Sequence, residues 1–280
     1  MTDRFRSTPT RLLAAALFLG GVQPVAAHEM FLKPARYEIA PDGTTSVTLV
    51  NGTFEKSDNT IDRDRMIDVS VYGAGERVRP ETTQWREEGD ATVLSYAVGE
   101  AGTYALGVST KPRIITMTPD DFAGYLKHDG VVDALAAFEA ENTLQSVRER
   151  YSKHVRTIVQ VGDARTDDHR QVLGYPIEIV LEGNPYDADV GDSLAFTVLR
   201  DGAPVAGQLA YASYDGFEGP SDPEAHARAQ TLRTDDDGRA VFQVSAPGVW
   251  FVTLIHMETL SNDPEADYES NWATVTFAVD

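Results

Sequence analysis

The stretch VWFVTLIH, residues 249–256, decides the fold class of this sequence. It combines β-branched, aromatic and aliphatic residues, a composition that favours a β-strand. Similar short runs separated by turn residues lie at 177–181, 193–199, 205–214, 231–234, 240–244 and 273–279. About seven short strands at this spacing predict an antiparallel β-sandwich of the immunoglobulin type for residues 174–280. Within it, Asp201-Gly202 predicts a tight turn, and 231–234 and 240–244 are expected to form a hairpin.

Residues 28–165 predict a first β-rich domain that is interrupted by helices. Alternating apolar residues indicate strands at 46–50 and 67–72, and we expect 92–98 and 103–109 to pair like a hairpin. Thr118-Pro119 begins a helical pattern, which predicts a short helical insert over about residues 119–150. A strand at 155–161 then returns to the domain, and the polar run 164–171 is expected to be a linker. The chain as a whole is predicted to be mainly β, with two immunoglobulin-like antiparallel β-sandwich domains and a short helical insert.

The first 27 residues have the organisation of a cleaved secretory signal peptide. The positively charged start runs from Arg4 to Arg11, and an apolar run follows at residues 12–22. Val25-Ala26-Ala27 supplies the small residues of the cleavage site. The apolar run is shorter than the roughly 20 residues that span a bilayer. We therefore expect cleavage after Ala27, a mature chain that begins at His28 and is exported to the periplasm, and no membrane insertion after cleavage.

The composition restricts the classes of partner. The sequence has 44 acidic and 24 basic residues and a net charge of −20, which opposes binding to nucleic acid and to anionic membranes. This charge suits the attraction of cations, although solubility alone also explains it. The sequence contains no Cys, so any metal would be held by His, carboxylate, Met or backbone groups.

His28 is the leading candidate ligand, because cleavage after Ala27 would give this one residue two nitrogen donors. The free α-amine titrates near 8, so it can lose its proton and bind a metal at neutral pH together with the ring Nδ1. A second imidazole would complete a three-nitrogen site suited to Cu or Ni. The competing interpretation is an ordinary mature terminus that happens to be His.

His256 is the candidate second imidazole, because it ends the strand at 249–256. A His at the end of a strand is well placed for ligation, and Glu258 would share its face because side chains alternate along a strand. The competing interpretation of His256 is a hydrogen-bonded surface histidine.

Other polar groups are less informative. The remaining histidines are interpreted as solvated side chains: His128, His154, His169 and His226. Residues 235–238, DDDG, lack the spacing of a calcium loop and indicate a turn. Residues 263–269 alternate acidic side chains and are interpreted as a solvated loop, with the gathering of cations as the alternative. Motifs for nucleophilic, phosphate-binding or dinucleotide chemistry are absent from the sequence, so we do not expect an enzyme.

With these residues in view, the chain resembles the DUF4198 family over nearly the whole mature sequence. The segments that carry the resemblance are AHEMFLKP (27–34), NGTF (51–54), YSK (151–153) with VQVG (159–162), LGYPIEI (173–179), NPY (184–186), RTDDDG (233–238) and GVWFV (248–252) followed by His256. The family usually has a Trp soon after the His, and Phe31 takes that place here. The resemblance implies a two-domain, β-rich periplasmic protein of nickel or cobalt uptake systems, and it favours His28 and His256 as ligands.

Three functions remain open on the sequence. The leading hypothesis is an accessory protein that binds Ni²⁺ or Co²⁺ through His28, His256 and Glu258 and passes the ion to an inner-membrane metal permease. The second is a metal-free β-sandwich module that binds protein or glycan. The third is a copper protein with a histidine brace.

Overall fold

The computed structural model describes residues 28–141, 143–217 and 229–280. The strands in this part of the chain are, in order, β1 (Glu29–Pro34), β2 (Glu38–Ile39), β3 (Thr44–Gly52), β4 (Met66–Gly73), β5 (Glu76–Val78), β6 (Trp85–Glu88), β7 (Ala91–Ala97), β8 (Gly102–Thr110), β9 (Arg113–Met117), β10 (Val147–Val161), β11 (Ile177–Leu181), β12 (Ser193–Arg200), β13 (Ala203–Pro204), β14 (Leu209–Tyr214), β15 (Gln230–Arg233), β16 (Arg239–Gln243), β17 (Gly248–Thr259) and β18 (Tyr268–Val279). Two helices, α1 (Pro119–His128) and α2 (Val132–Glu141), lie between β9 and β10. None of the described helices is long and apolar enough to cross a membrane.

One large sheet runs through both halves of the chain. Its main strand order is β15-β14-β17-β18-β10-β8-β4-β5, and β2 and β9 also pair with β10. The pairs are antiparallel except for β10 with β18 and β10 with β2. The parallel pair of β10 with β18 joins the N-terminal strands to the C-terminal strands, so both predicted domains share this sheet.

Two small sheets cover the large sheet at different ends. The first has the order β1-β3-β7-β6, and the second joins β11, β12 and β13, with β16 paired to β12. Apolar side chains fill both interfaces, as expected of packed antiparallel sheets. The first core includes Met30, Leu49, Leu94, Leu106, Val108 and Val159, and the second includes Ile179, Phe196, Phe242, Trp250, Val275 and Phe277.

Strand β18 shows that the two small sheets lie on opposite faces. Its residues Val275 and Phe277 belong to the core beneath the β11–β12 sheet. The alternate residues point to the other face, where Thr274 donates a hydrogen bond of 2.8 Å to the carbonyl of Met30. Thr276 does the same for the carbonyl of Leu32 at 2.5 Å. Strand β1 therefore crosses the face of the large sheet that the β11–β12 sheet does not cover.

The helical insert begins where the sequence predicts it. The hydroxyl of Thr118 accepts a hydrogen bond from the backbone N–H of Asp121, and Pro119 occupies the first turn of α1. Buried residues of both helices, including Phe122 and Phe138, pack in one cluster with Trp272 of β18. The helices end at Glu141 and β10 begins at Val147, so residues 147–150 of the expected insert are strand.

Both predicted hairpins are wrong, whereas the predicted tight turn is correct. Strands β7 and β8 lie in different sheets, as do β15 and β16. Strand β7 pairs with β3 and β6, β8 with β4 and β10, β15 with β14, and β16 with β12. Strands β12 and β13 do pair through the Asp201-Gly202 turn, and both turn residues have positive φ, 49° and 81°. This is the backbone of a type I′ turn, which a hairpin with a two-residue loop favours.

The predicted fold class is confirmed for the described residues. They form a mainly β structure of packed, predominantly antiparallel sheets with two short helices. Strand β17, which contains residues 249–256, lies inside the large sheet between β14 and β18, so the stretch that decides the fold class is a central strand.

Candidate metal centre

His28 lies immediately before β1, and its side chain is about one-third exposed. Its ring Nδ1 is 3.1 Å from the carboxylate oxygen Oδ2 of Asp58. Asp58 belongs to the loop after β3, where its backbone N–H donates to the carbonyl of Asn51 at 3.0 Å. An isolated bridge between Gly52 and Ser57 also holds this loop. The atom of His28 that would chelate a metal together with the α-amine therefore faces a carboxylate.

A buried lysine fixes the backbone beside His28. The Nζ of Lys153 donates to the carbonyl oxygen of His28 and, at 3.0 Å, to Oδ1 of Asn51. The amide nitrogen of Asn51 in turn donates to Oδ1 of Asn59 at 2.9 Å. Burial lowers the pKa of Lys153 to about 7. This network orients the peptide group of His28 while its ring projects toward Asp58.

His256 lies near the end of β17, with its ring largely buried. Its Nδ1 is 2.8 Å from Oε1 of Gln208. The amide nitrogen of Gln208 donates to the carbonyls of Leu209 at 2.8 Å and Ile255 at 3.1 Å, so Oε1 must be the atom that faces His256. Nδ1 therefore carries the proton, and Nε2 keeps the lone pair that a metal would use. Burial lowers the pKa of His256, which further favours the neutral ring.

Glu258 lies beside His256, as alternation along the strand predicts. Its Oε1 is 3.8 Å from Nε2 of His256, but its Oε2 is 3.4 Å from the guanidinium of Arg200. Arg200 also contacts Glu269 at 3.2 Å. A cation held by His256 and Glu258 would thus have a guanidinium as its neighbour, which weakens the pair as a metal site.

The structure brings His256 and Glu258 together and places His28 elsewhere. His256 shares the face of β17 with Trp250 and Leu254, which lie in the core beneath the β11–β12 sheet. His28 precedes β1, which crosses the opposite face. Within residues 28–141, 143–217 and 229–280, no group of three or more His, Asp or Glu side chains is arranged to hold a metal ion.

Two of the other histidines differ from their interpretation as solvated side chains. His154 and His169 are only 3% and 1% exposed, so that interpretation is wrong for both. His154 is buried because Ser109 contacts its Nδ1 at 2.9 Å and Ser152 contacts its Nε2 at 3.0 Å, which replaces water at both nitrogens. His128 is partly exposed and lies 2.9 Å from Asp129. His226 lies outside the described residues.

The acidic loop at 263–269 is held by arginines of β10. Arg150 pairs with Asp263 at 3.0 Å, and Arg148 pairs with Asp267 at 2.9 Å. The hydrogen bond from Arg150 lowers the pKa of Asp263 to about 2. The loop thus anchors itself to the sheet. In the DDDG segment, the carboxylate of Asp235 accepts from the backbone N–H of Asp237 and of Arg239, the turn chemistry that the sequence indicates.

Asp58 is the functional candidate that the sequence analysis missed. Its distance along the chain from His28 gives no signal, since the contact depends on the pairing of β1 with β3. Residues Glu29 and Gly52 are partners in that pair, so the loop after Gly52 returns to the side of His28. Asp58 could have been predicted as a neighbour of His28 if the pairing of β1 with β3 had been recognised.

The chain shows only low similarity to solved structures, whereas a family model matches most of its sequence. The chain aligns with Salmonella alpha-2-macroglobulin reacted with methylamine at 13% identity and a TM-score of 0.23, over 90% of this chain and 15% of that one. The D0-D1 domain of Intimin gives 12% identity and a TM-score of 0.20 over 89% and 97%, and mouse nectin-like molecule 4 gives 9% and 0.19 over 91% and 65%. These TM-scores are too low to support any inference about fold or function.

No curated protein matches the chain. The model of a family described as a domain of unknown function, DUF4198, matches residues 25–258, which include His28, Asp58, His256 and Glu258. The match covers most of the sequence and confirms the resemblance drawn from its motifs. The chain belongs to the DUF4198 family.

Proposed function

We propose that this protein is a periplasmic accessory protein that captures Ni²⁺ or Co²⁺ at the mature N-terminus and passes it to an inner-membrane permease. The observation that carries the proposal is the 3.1 Å approach of Nδ1 of His28 to the carboxylate of Asp58. Removal of residues 1–27 would add the α-amine of His28 to this pair. Three donors of two types would then converge on one point near the surface.

The spacing of the donors suits a divalent ion. Two ligands at right angles with bonds of about 2.1 Å lie about 3 Å apart, close to the observed separation. An amine and the Nδ1 of the same histidine close a six-membered chelate ring, and Asp58 would add a negative charge. Water would complete the coordination shell, and such an open shell favours transfer of the ion to a partner.

The geometry favours nickel or cobalt over a copper brace at this position. A histidine brace needs a second imidazole beside the terminal histidine, and a second His next to His28 and Asp58 would form a group of three. The described residues contain none of these groups. We accordingly assign His256 and Glu258 to a separate, weaker position on the other face of the sheet.

Substitution of Asp58 tests the proposal. In mature protein that begins at His28, Asp58→Asn removes one charged ligand and should weaken Ni²⁺ and Co²⁺ binding at least about tenfold in calorimetric titration. Glu258→Gln is the matched control, because it neutralises a carboxylate beside the other histidine, and it should leave the affinity nearly unchanged. Equal losses in both variants, or no loss in Asp58→Asn, would contradict the assignment.

A further inference from the structure

A single turn of 3₁₀ helix, Arg63–Arg65, lies beside the first core and directs two guanidinium groups at aromatic rings. The Cζ atom of Arg63 is 6.0 Å from the ring centroid of Trp85 in β6. The Cζ atom of Arg65 is 5.2 Å from the ring centroid of Tyr151 in β10. Strand β6 belongs to the small sheet and β10 to the large sheet of this sandwich. The turn therefore directs one guanidinium toward each of the two sheets.

Three buried N–H groups at this turn have no acceptor among the described residues. They are Nε of Arg63, Nε of Arg65 and Nε1 of Trp85. Arg65 is only 7% exposed, so water has little access to its side chain. Buried donors are normally hydrogen-bonded, because a donor that loses water without gaining an acceptor is unfavourable. A bound group with oxygen acceptors would remove this cost.

The positive charge of the turn also lacks a paired carboxylate in the part of the chain that the structure describes. Neither Arg63 nor Arg65 takes part in an ion pair there. Asp62 and Asp64 are their neighbours in sequence, but both are exposed and pair with neither guanidinium. Buried charges are normally paired, because an isolated charge away from water is unfavourable. Arg65 is therefore a buried cation whose partner is not supplied by the fold.

Lys153 is a second cation close to Arg65, but it has acidic neighbours of its own. Burial is the main cause that lowers the pKa of Lys153 to about 7, and the charge of Arg65 is the next. Asp129, Glu29 and Glu149 act on this pKa in the opposite direction. The lysine is thus partly compensated by carboxylates, and Arg65 is the cation that a ligand would neutralise.

The connection between β8 and β9 adds two exposed basic residues to this surface. The backbone N–H of Lys111 donates to the carbonyl of Arg65 at 2.8 Å. Arg113 is the partner of Tyr151 in the pairing of β9 with β10, so the two side chains leave the sheet on the same face. Neither Lys111 nor Arg113 forms an ion pair with a described residue. In a chain with a net charge of −20, the surroundings of Tyr151 are therefore locally basic.

We propose that this basic turn, defined by Arg63, Arg65 and Arg113, binds a small oxyanion, the carboxylate or phosphate group of a small molecule. Its oxygens would accept hydrogen bonds from Arg63 and Arg65, since a planar guanidinium matches these groups with two parallel N–H donors. Arg113 would add positive charge from the solvent side. The proposal does not depend on metal binding at His28.

Succinate, inorganic phosphate and the neutral succinamide are probes for the basic turn. They are titrated by NMR into metal-free protein that begins at His28, at constant ionic strength and without EDTA, which is itself a polycarboxylate. Succinate or phosphate should bind saturably, and succinamide should bind at least about tenfold more weakly than the bound anion. Binding of one anion alone assigns the site to carboxylates or to phosphates. No saturable binding of either anion, or equally tight binding of succinamide, would overturn the proposal.

Three variants locate the binding. Arg65→Gln removes the buried charge and should weaken the bound anion at least about tenfold, because a charge-assisted pair is lost. Arg63→Gln, at a less buried position of the same turn, should weaken it several-fold. Arg239→Gln is the control, since it makes the same change in net charge at a residue that pairs with Glu182 at 2.9 Å in the C-terminal half. Unchanged affinity in both turn variants, or an equal loss in the control, would refute the site.

Discussion

The buried side chain of His154 has a pKa far from its ordinary value. His154 is held between two serine hydroxyls, and Asn271 lies 3.2 Å from its Nε2. Burial lowers the pKa of His154 to about 4, so the ring is neutral at physiological pH. Its position beside β18 makes it part of the seam between the two halves of the large sheet, and its protonation state therefore matters to stability.

Acid should weaken the fold through His154. Below its unfolded pKa of about 6.5, the unfolded chain binds a proton at this residue that the native state does not bind until about pH 4. The stability contributed by the neutral ring is thus complete above pH 6.5 and is lost as the pH falls, by up to about 3 kcal/mol. Urea unfolding at several pH values measures this loss.

The variant His154→Gln separates the effect of His154 on the pH dependence of stability from the opposite effect of Glu149. Burial raises the pKa of Glu149 to about 7, so this carboxyl becomes less favourable to folding as the pH rises through the interval. The comparison of wild type with His154→Gln cancels Glu149 and isolates the histidine. Between pH 6.5 and 4 the variant should lose less stability than the wild type, and parallel curves would contradict the assignment.

At the scale of elements, β1 is the strand that carries the candidate site. Phe31 of β1 is fully buried against Phe54 and Phe251, with ring centroids 5.1 and 5.3 Å away. These rings connect β1 to the loop after β3 and to β17, so the same contacts that seal the core hold His28 near Asp58. The position of His28 is a consequence of this packing.

Removal of this ring should be costly. Phe31→Ala leaves a cavity among three aromatic side chains and should reduce the free energy of unfolding by about 3–5 kcal/mol. Ile67→Ala is the control, because Ile67 is 59% exposed and its truncation should change stability by less than about 0.5 kcal/mol. Denaturant titration of both variants measures the difference. A similar small change in each would show that β1 is not held by this cluster.

The elements also show what the sequence could predict. Strand composition identified 249–256, and the Thr118-Pro119 signal found the start of α1, because both depend on local chemistry. The predicted hairpins failed because β7 pairs with β3 and β6, and β15 pairs with β14, rather than with the strand that follows each in the chain. Local alternation of apolar residues does not identify the partner of a strand. The sequence selects His28 and His256 as candidate ligands. It does not predict the sheet that separates them or the contact of His28 with Asp58, because both depend on the tertiary structure.

At the scale of the molecule, the parallel pairing of β10 with β18 joins the two sandwiches. Nine residue partners run from Glu149 with Tyr268 to Thr157 with Thr276. Separation of the halves would leave the peptide groups of both strands without partners in a buried region, a cost of about 1–3 kcal/mol for each group. The halves should consequently unfold as one unit.

Calorimetry tests this cooperativity. Protein that begins at His28 should show one thermal transition, with a calorimetric enthalpy equal to the van't Hoff enthalpy. Two resolved transitions that correspond to residues 28–165 and 174–280 would show that the shared sheet does not couple the halves.

We propose that removal of residues 1–27 creates a metal ligand at His28. The most direct measurement compares Ni²⁺ and Co²⁺ affinity in protein that begins at His28 with affinity in the same protein carrying one additional N-terminal Ala. We expect a loss of affinity of at least about tenfold on extension, because the α-amine leaves chelating reach while the ring and Asp58 remain. Equal affinity in the two proteins would contradict it.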